Sequence, residues 1–480
     1  MYFNSIIYMV IFLPIVVIVY FLLNKKHLVV ASKIWLIVAS MFFYAWWNVA
    51  YLPLLILIVS CNYAFFKLVK KLQNNDNKKA KTMLILGIIF NILVLGYFKY
   101  TNFFIETINL LFKQNLLYLN IFLPLAISFH TFQQIAFLVD SYKDKSISYS
   151  FIDYCLFVMF FPQLIVGPIV KHSEMIGQFN NLRTKLFNHK NFIIGLSMFL
   201  IGFYKKTLIV SPLYSTIDLN LPMIGQFSTL ESWIFWLVEA MHNYLDFSSY
   251  MDMALGSALI FNIKLPINFN SPFHSANIAE FWKRWHITLA RFLKEYIYIP
   301  LGGSRKGEAR SNLNVFLTFL IGGLWHGAYF GAVIWGIYHG LGIIIYRFWR
   351  KLNISIPNFF AMCITITFVG SAGVLLRLND LNKVWHFFAS MFNPSNLILP
   401  SFEAKNLIFN TSNGLHSWPI ISLGIVSMML LLTFTKKSVE AYDVVKNIKP
   451  CYAHVFILAL FIVGIIYIYN PPTGFLYYNF

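Results

Sequence analysis

Long apolar runs recur along almost the whole 480-residue chain, and about 20 consecutive residues of this kind suffice for a helix to cross a bilayer. They lie near 5–23, 30–47, 51–66, 83–98, 151–170, 192–210, 233–262, 315–346, 357–376, 417–434 and 453–469, with two shorter stretches, 103–118 and 121–139, that read as spans, half-spans or interfacial helices. Lipid offers backbone amides no hydrogen-bond partner, so such runs fold as helices. The polar stretches between them, the longest being 171–191, 264–314 and 376–416, leave no room for a soluble domain of useful size. The expected fold is all-α, a polytopic integral membrane protein with about 12 transmembrane helices forming one membrane domain over 1–480. Any chemistry must then be done in or at the membrane.

Composition and charge agree with that reading. Charged residues make up 11% of the chain and hydrophobic ones 59%, where soluble domains carry about 25% charged residues. Lys and Arg number 37 against 18 Asp and Glu, for a formal charge of +19. A soluble protein so basic would suggest a nucleic-acid partner; here the cations occupy short loops between apolar runs, the positive-inside pattern, and the expected partner is membrane lipid. Lys25 and Lys26 follow the first run, and Lys67, Lys70, Lys71, Lys78, Lys79 and Lys81 follow the third, whereas the loop after the second has only Asn48. That asymmetry puts the N-terminus outside. Lys436, Lys437, Lys446 and Lys449 precede the last run and nothing charged follows it, which puts the C-terminal tail outside as well.

The first run has no basic residue before it and no clear small-residue cleavage site, so it reads as a retained helix and not a signal peptide. Cys61, Cys155, Cys363 and Cys451 have no paired spacing and read as small buried hydrophobes, not a disulfide framework or a zinc site.

Ionisable and small residues then single out a few segments. Asn277 followed three residues later by Glu280 is a capping-box pattern, so a helix starts there. On that helix Trp282, Trp285, His286 and Leu289 share one face, with Lys283, Arg284, Arg291 and Lys294 elsewhere; it lies in the cytoplasmic interface or re-enters the bundle. The loop Gly302-Gly303-Ser304-Arg305-Lys306 combines backbone N–H groups with two cations, which suits lipid headgroups or the phosphates of a nucleotide-bearing donor. In the next run Gly323, Gly327, Gly331, Gly336 and Gly340 allow close helix approach, holding His326 in a crowded part of the bundle. A neutral imidazole at membrane depth is a candidate general base on a hydroxyl or a thioester. His339 projects from a different face and reads as structural. Glu239, His242 and Asp246 make a polar stripe leading to Ser248, which reads as a hydrogen-bonded interior or the wall of a water-filled tunnel. No HExxH or Cys cluster supports a metal there. No GxSxG nucleophile elbow occurs anywhere, so a serine-esterase-like half-reaction would have to come from another protein.

Six ordered segments carry a resemblance: LPLAISFHTFQQIAFLVDSYK (Leu123–Lys143), FFPQLIVGPI (Phe160–Ile169), NYLDFSSYMDMALG (Asn243–Gly256), LPINFNSPF (Leu265–Phe273), EFWKRWHITLARFLKEYIYIPLGGSRKG (Glu280–Gly307) and GLWHGAYFGAVIWGIYHG (Gly323–Gly340). In this order the chain resembles the membrane-bound O-acyltransferase family, in the bacterial branch that acylates alginate, peptidoglycan and teichoic acids. His130 stands where relatives commonly carry an aromatic residue, and Ser249 and Met251 replace the usual Gly and Ser.

The resemblance implies helices ringed about a central tunnel, with 123–340 as the acyltransferase core. It implies His326 as catalytic histidine and His286 as second histidine. From the residues themselves, Trp325, Asp246, Ser248, Trp282 and Arg284 are the substrate or tunnel candidates, and Arg305 and Lys306 the donor-phosphate candidates. The tail, Phe475-Leu476-Tyr477-Tyr478-Asn479-Phe480, is similar to an aromatic relay motif, which would make 453–480 a last span followed by an acyl-carrying tail with Tyr477 as carrier and Tyr478 as competitor.

The expected activity is transfer of acetyl from cytoplasmic acetyl-CoA, with no tightly bound cofactor or metal, across a bacterial inner membrane toward hydroxyls of a cell-envelope polysaccharide, peptidoglycan first. The polysaccharide would be reached indirectly, through an extracytoplasmic esterase-fold O-acetyltransferase as partner. Alginate or another exopolysaccharide, D-alanyl transfer to teichoic acid, and lipid acylation are alternatives within the chemistry. An acyl-donor transporter is the alternative outside it.

Overall fold

The structure, a computed structural model, describes residues 1–378, 380–397 and 445. The expected runs at 417–434 and 453–469, Cys451, and the tail tyrosines Tyr477 and Tyr478 lie outside the described residues. Among the described residues all regular structure is helical, and six helices are long and apolar enough to cross a membrane: Ile7–Lys25, Val49–Gln73, Asn77–Phe112, His189–Tyr214, Phe330–Lys351 and Asn358–Arg377.

Several of these follow directly from local sequence. Asp76 starts the Asn77–Leu95 helix by accepting from the amides of Lys78 (2.9 Å) and Lys79 (3.1 Å), as an N-cap carboxylate does. The stretches at 83–98 and 103–118 are one continuous helical element, bridged by a π-turn at Gly96–Tyr100 and ending at Phe112. The stretch at 121–139 becomes helical only at Ile127 and runs to Lys143.

Two expected spans and one expected interfacial or re-entrant helix have a different shape. The 151–170 run stops at Met159: Phe160 leaves helical geometry at ψ 110°, and the Phe161 amide donates to Ser40 Oγ at 3.0 Å instead of continuing the hydrogen-bond ladder; a four-residue turn, Phe161–Leu164, follows. The 315–346 run is two helices, Glu308–His326 and Phe330–Lys351, separated by extended backbone at Gly327 and Tyr329. The single helix expected from Asn277 is also two, Ile278–Arg284 and Ile287–Leu293, broken at Trp285 and His286.

The described chain packs as two compact units, one from Met1–Phe203, Tyr250–Ile267 and Val445, the other from Tyr204–Ser249 and the described residues of 268–397. In the first, Phe3, Tyr8, Phe43 and Phe161 stack and cross at 4.9–6.2 Å, and the buried Tyr8 hydroxyl donates to Ser257 Oγ at 2.8 Å. Asn62 and Asn91 exchange hydrogen bonds of 3.1 and 2.7 Å between two apolar helices, polar glue where water cannot compete.

In the second unit three of the five expected glycines, Gly323, Gly336 and Gly340, form a close helix seam, whereas Gly331 faces the Leu375 and Leu378 carbonyls and Gly327 the Tyr329 ring. A Cβ on Gly323 would lie 2.3 Å from the Ala332 carbonyl oxygen, and one on Gly336 would lie 2.6 Å from that of Phe319. Only glycine lets the Glu308–His326 and Phe330–Lys351 helices approach so closely, and that approach sets where His326 is presented.

Candidate active site

His326 ends its helix, 2% exposed, against Trp325 (ring centroids 4.9 Å apart) and Trp335 (4.6 Å). His286 is fully buried, its ring 4.8 Å from Phe247 and 6.0 Å from Trp325. Trp325 therefore touches both imidazoles. The series continues through Trp335 to His339 at 4.5 Å and to Trp282, which lies 5.8 Å from Trp335 and 5.1 Å from His339. His339 thus joins the same aromatic cluster through Trp335, though from a different helix than His326.

The break in the 277–293 region places His286. Asn277 caps the first short helix as expected, accepting from the Glu280 amide at 2.9 Å, and the Glu280 carboxylate accepts from the Ala276 amide at 3.1 Å. The helix then yields to a segment distant in sequence. The Asn270 amide donates to the Arg284 carbonyl (2.9 Å), and the Ile287 amide donates to the Asn268 carbonyl (3.0 Å). Between these bonds Trp285 is extended and His286 is left-handed at φ 43°, a strained state for a residue with a Cβ. Asn268 Oδ1 meets His286 Nδ1 at 3.2 Å and also accepts from the amide (3.1 Å) and hydroxyl (3.0 Å) of Thr288. The face shared by Trp282, Trp285, His286 and Leu289 on one continuous helix is therefore not formed.

The polar stripe is a buried charge network. Asp246 pairs with Lys206 at 2.8 Å, each side chain 1% exposed, and Ser248 accepts from Lys205 Nζ at 3.1 Å. Both lysines lie in a π-turn, Lys205–Val210, a helical irregularity that often re-aims side chains at functional sites. Glu239 Oε1 accepts from Arg377 Nε (3.1 Å) and Asn243 Nδ2 (3.0 Å), and Arg377 also meets His242 Nδ1 at 3.3 Å. Each carboxylate of the stripe has a cation of its own chain beside it, which suits a membrane interior.

The remaining candidates lie differently. Arg284 bonds Glu280 (2.9 Å) and the Asn270 carbonyl (3.2 Å), so it braces the break that positions His286. Arg305 and Lys306 are exposed. In their loop the amides of Gly302, Gly303 and Arg305 already donate to the carbonyls of Ile299, Tyr298 and Gly302, so these three N–H groups are not free for a phosphate.

Sequence reasoning did not single out Asn268, Phe247, Trp335, Lys206 or Arg377. The signal for the last two was present: a cation inside or ending an apolar run needs a partner, and the stripe supplied carboxylates.

Comparison with known proteins decides the family. A model of MBOAT, the membrane-bound O-acyltransferase family, matches residues 41–372. The chain belongs to the membrane-bound O-acyltransferase family. It is an integral membrane acyltransferase. Among relatives, a peptidoglycan O-acetyltransferase of Helicobacter pylori is 38% identical over 100% of this chain and 97% of its own length. A probable alginate O-acetylase, AlgI, of Pseudomonas aeruginosa is 35% identical over 85% of this chain and 78% of its own. A teichoic acid D-alanyltransferase of Bacillus subtilis is 31% identical over 41% and 52%.

Proposed function

We propose that this O-acyltransferase takes acetyl from cytoplasmic acetyl-CoA and passes it across a bacterial inner membrane toward hydroxyls of peptidoglycan. The observation that carries the substrate choice is the full-length likeness to the Helicobacter peptidoglycan O-acetyltransferase; its likeness to AlgI supports alginate or a related exopolysaccharide as the second reading. His326 serves as general base or proton shuttle, and His286 as a second base or positioning group. Their burial around Trp325 supports chemistry shielded from bulk water, where a thioester is protected from hydrolysis.

In the transfer a hydroxyl oxygen attacks the thioester carbonyl. A C–O bond forms, the C–S bond breaks, the hydroxyl proton leaves by an imidazole, and the departing thiolate is protonated. Tyr477 is the first acceptor, so the acetyl group becomes a phenyl ester on the chain's outer tail, the covalent intermediate of a two-step relay. An extracytoplasmic esterase-fold partner then moves it to the polysaccharide. Trp282, Trp325, Asp246 and Ser248 line the acyl path, and Arg305 and Lys306 face the donor's phosphates. Both termini are outside.

Replacing His326 with Ala tests this reading in cells. Peptidoglycan acetylation should be lost while the protein remains folded in the membrane at normal abundance; full acetylation by the variant would remove His326 from the mechanism.

A further inference from the structure

The hydrogen bonds around Asn268 determine which ring nitrogen of His286 carries the hydrogen. A backbone N–H can only donate, and the Thr288 amide lies 3.1 Å from one side-chain atom of Asn268. That atom must be the oxygen, since the amide nitrogen would set two donors against each other. The same atom lies 3.2 Å from His286 Nδ1. An amide oxygen accepts and never donates, so Nδ1 is the donor and carries the hydrogen. A neutral imidazole has one N–H, which leaves Nε2 with a lone pair. Among the described residues nothing pairs with that Nε2, and the ring is fully buried. A buried acceptor left without a donor is destabilising, a deficit that an incoming X–H group removes.

We infer that Asn268 is a positioning residue that fixes His286 as its Nδ1–H form, making Nε2 the acceptor for the hydroxyl of the acyl acceptor. This deepens the proposed acyl transfer and rests on it. It also selects between the roles open to His286. The neutral ring cannot donate from Nε2 to a thioester carbonyl; it can only receive a hydrogen. The hydroxyl donates to Nε2, and as the C–O bond forms and the C–S bond breaks, its proton passes to Nε2 and from there to the departing thiolate, which restores the neutral ring. His326 keeps the shuttle role by carrying that proton from Nε2 to the thiolate. The left-handed backbone at His286 belongs to the same device, because Asn268 bonds residues 286, 287 and 288 together and holds the strained residue in place.

The test is nitrogen-15 solid-state NMR of histidine-labelled full-length protein in liposomes, with the His286 signals assigned by their loss in His286→Gln. The wild type should show protonated Nδ1 and bare Nε2. Asn268→Leu should abolish that preference and lower acetyl transfer at least tenfold, while Asn268→Asp, which keeps an acceptor oxygen, should restore Nδ1–H. Thr288→Val, which retains the amide donor, should leave the spectrum unchanged. Hydrogen on Nε2 in the wild type, or an unchanged preference in folded Asn268→Leu, would overturn the inference. If Asn268→Leu does not fold, the wild-type and Asn268→Asp spectra decide. Because the spectrum does not depend on turnover, a bare Nε2 in a protein that consumes no acetyl-CoA would count against the functional reading and not against the hydrogen placement.

Discussion

Arg377 sits where one guanidinium serves two groups, Glu239 and His242, with its side chain only 14% exposed. Removing one member of a buried pair leaves the other charge without compensation, which typically costs about 3–5 kcal/mol. Arg377→Met should therefore destabilise the protein by about that much, read as a lower unfolding temperature in detergent, whereas Arg377→Met combined with Glu239→Gln should recover much of the loss. An uncoupled, additive effect in the double variant would show that the pair does not act as a unit. At this scale the sequence exposed the residues that are unusual for a membrane: His326, His286 and the Glu239–Asp246 stripe stand out against an apolar background. Their partners did not stand out. Asn268 is an ordinary polar residue between runs, and its importance comes from meeting Thr288, twenty residues on, through tertiary contact.

The pairing of the Glu308–His326 and Phe330–Lys351 helices depends on atoms that glycine lacks. Gly336→Ala would put a methyl carbon 2.6 Å from the Phe319 carbonyl oxygen and 3.0 Å from the Leu320 Cα, backbone atoms that cannot swing aside. Overpacking of this kind costs about 1–3 kcal/mol, and because His326 ends one of the two helices, acetyl transfer should fall along with the melting temperature. Gly177 provides the contrast, since a Cβ there meets nothing within 4 Å; Gly177→Ala should be neutral or stabilise by up to about 1 kcal/mol through helix propensity. Equal effects at the two positions would refute the seam. Elements were legible where the cause is local, as with the Asn277 cap and the glycine spacing. They were misread where the cause is distant or where length misled. The 315–346 run passed for one span although its 32 residues form parts of two helices, and the break at His286 comes from hydrogen bonds to 268–270 that no helical periodicity reveals.

Across the whole molecule, the run pattern correctly announced a helical membrane protein, and six ordered segments announced its family. The proposed orientation adds a prediction of its own: with the native cysteines replaced, a single cysteine at Lys79 should react with an impermeant reagent only from the cytoplasmic side, and labelling from outside would invert the topology. Direction matters because the proposed relay would need its donor inside and its acceptor outside. The most direct test is mass spectrometry of the C-terminal peptide after purified protein is incubated with isotopically labelled acetyl-CoA, comparing wild type with His326→Ala. Labelled acetyl on Tyr477 in the wild type and none in the variant is the predicted result. Acetyl-CoA consumption with no label on the tail, or equal labelling in both proteins, would contradict the His326-dependent relay.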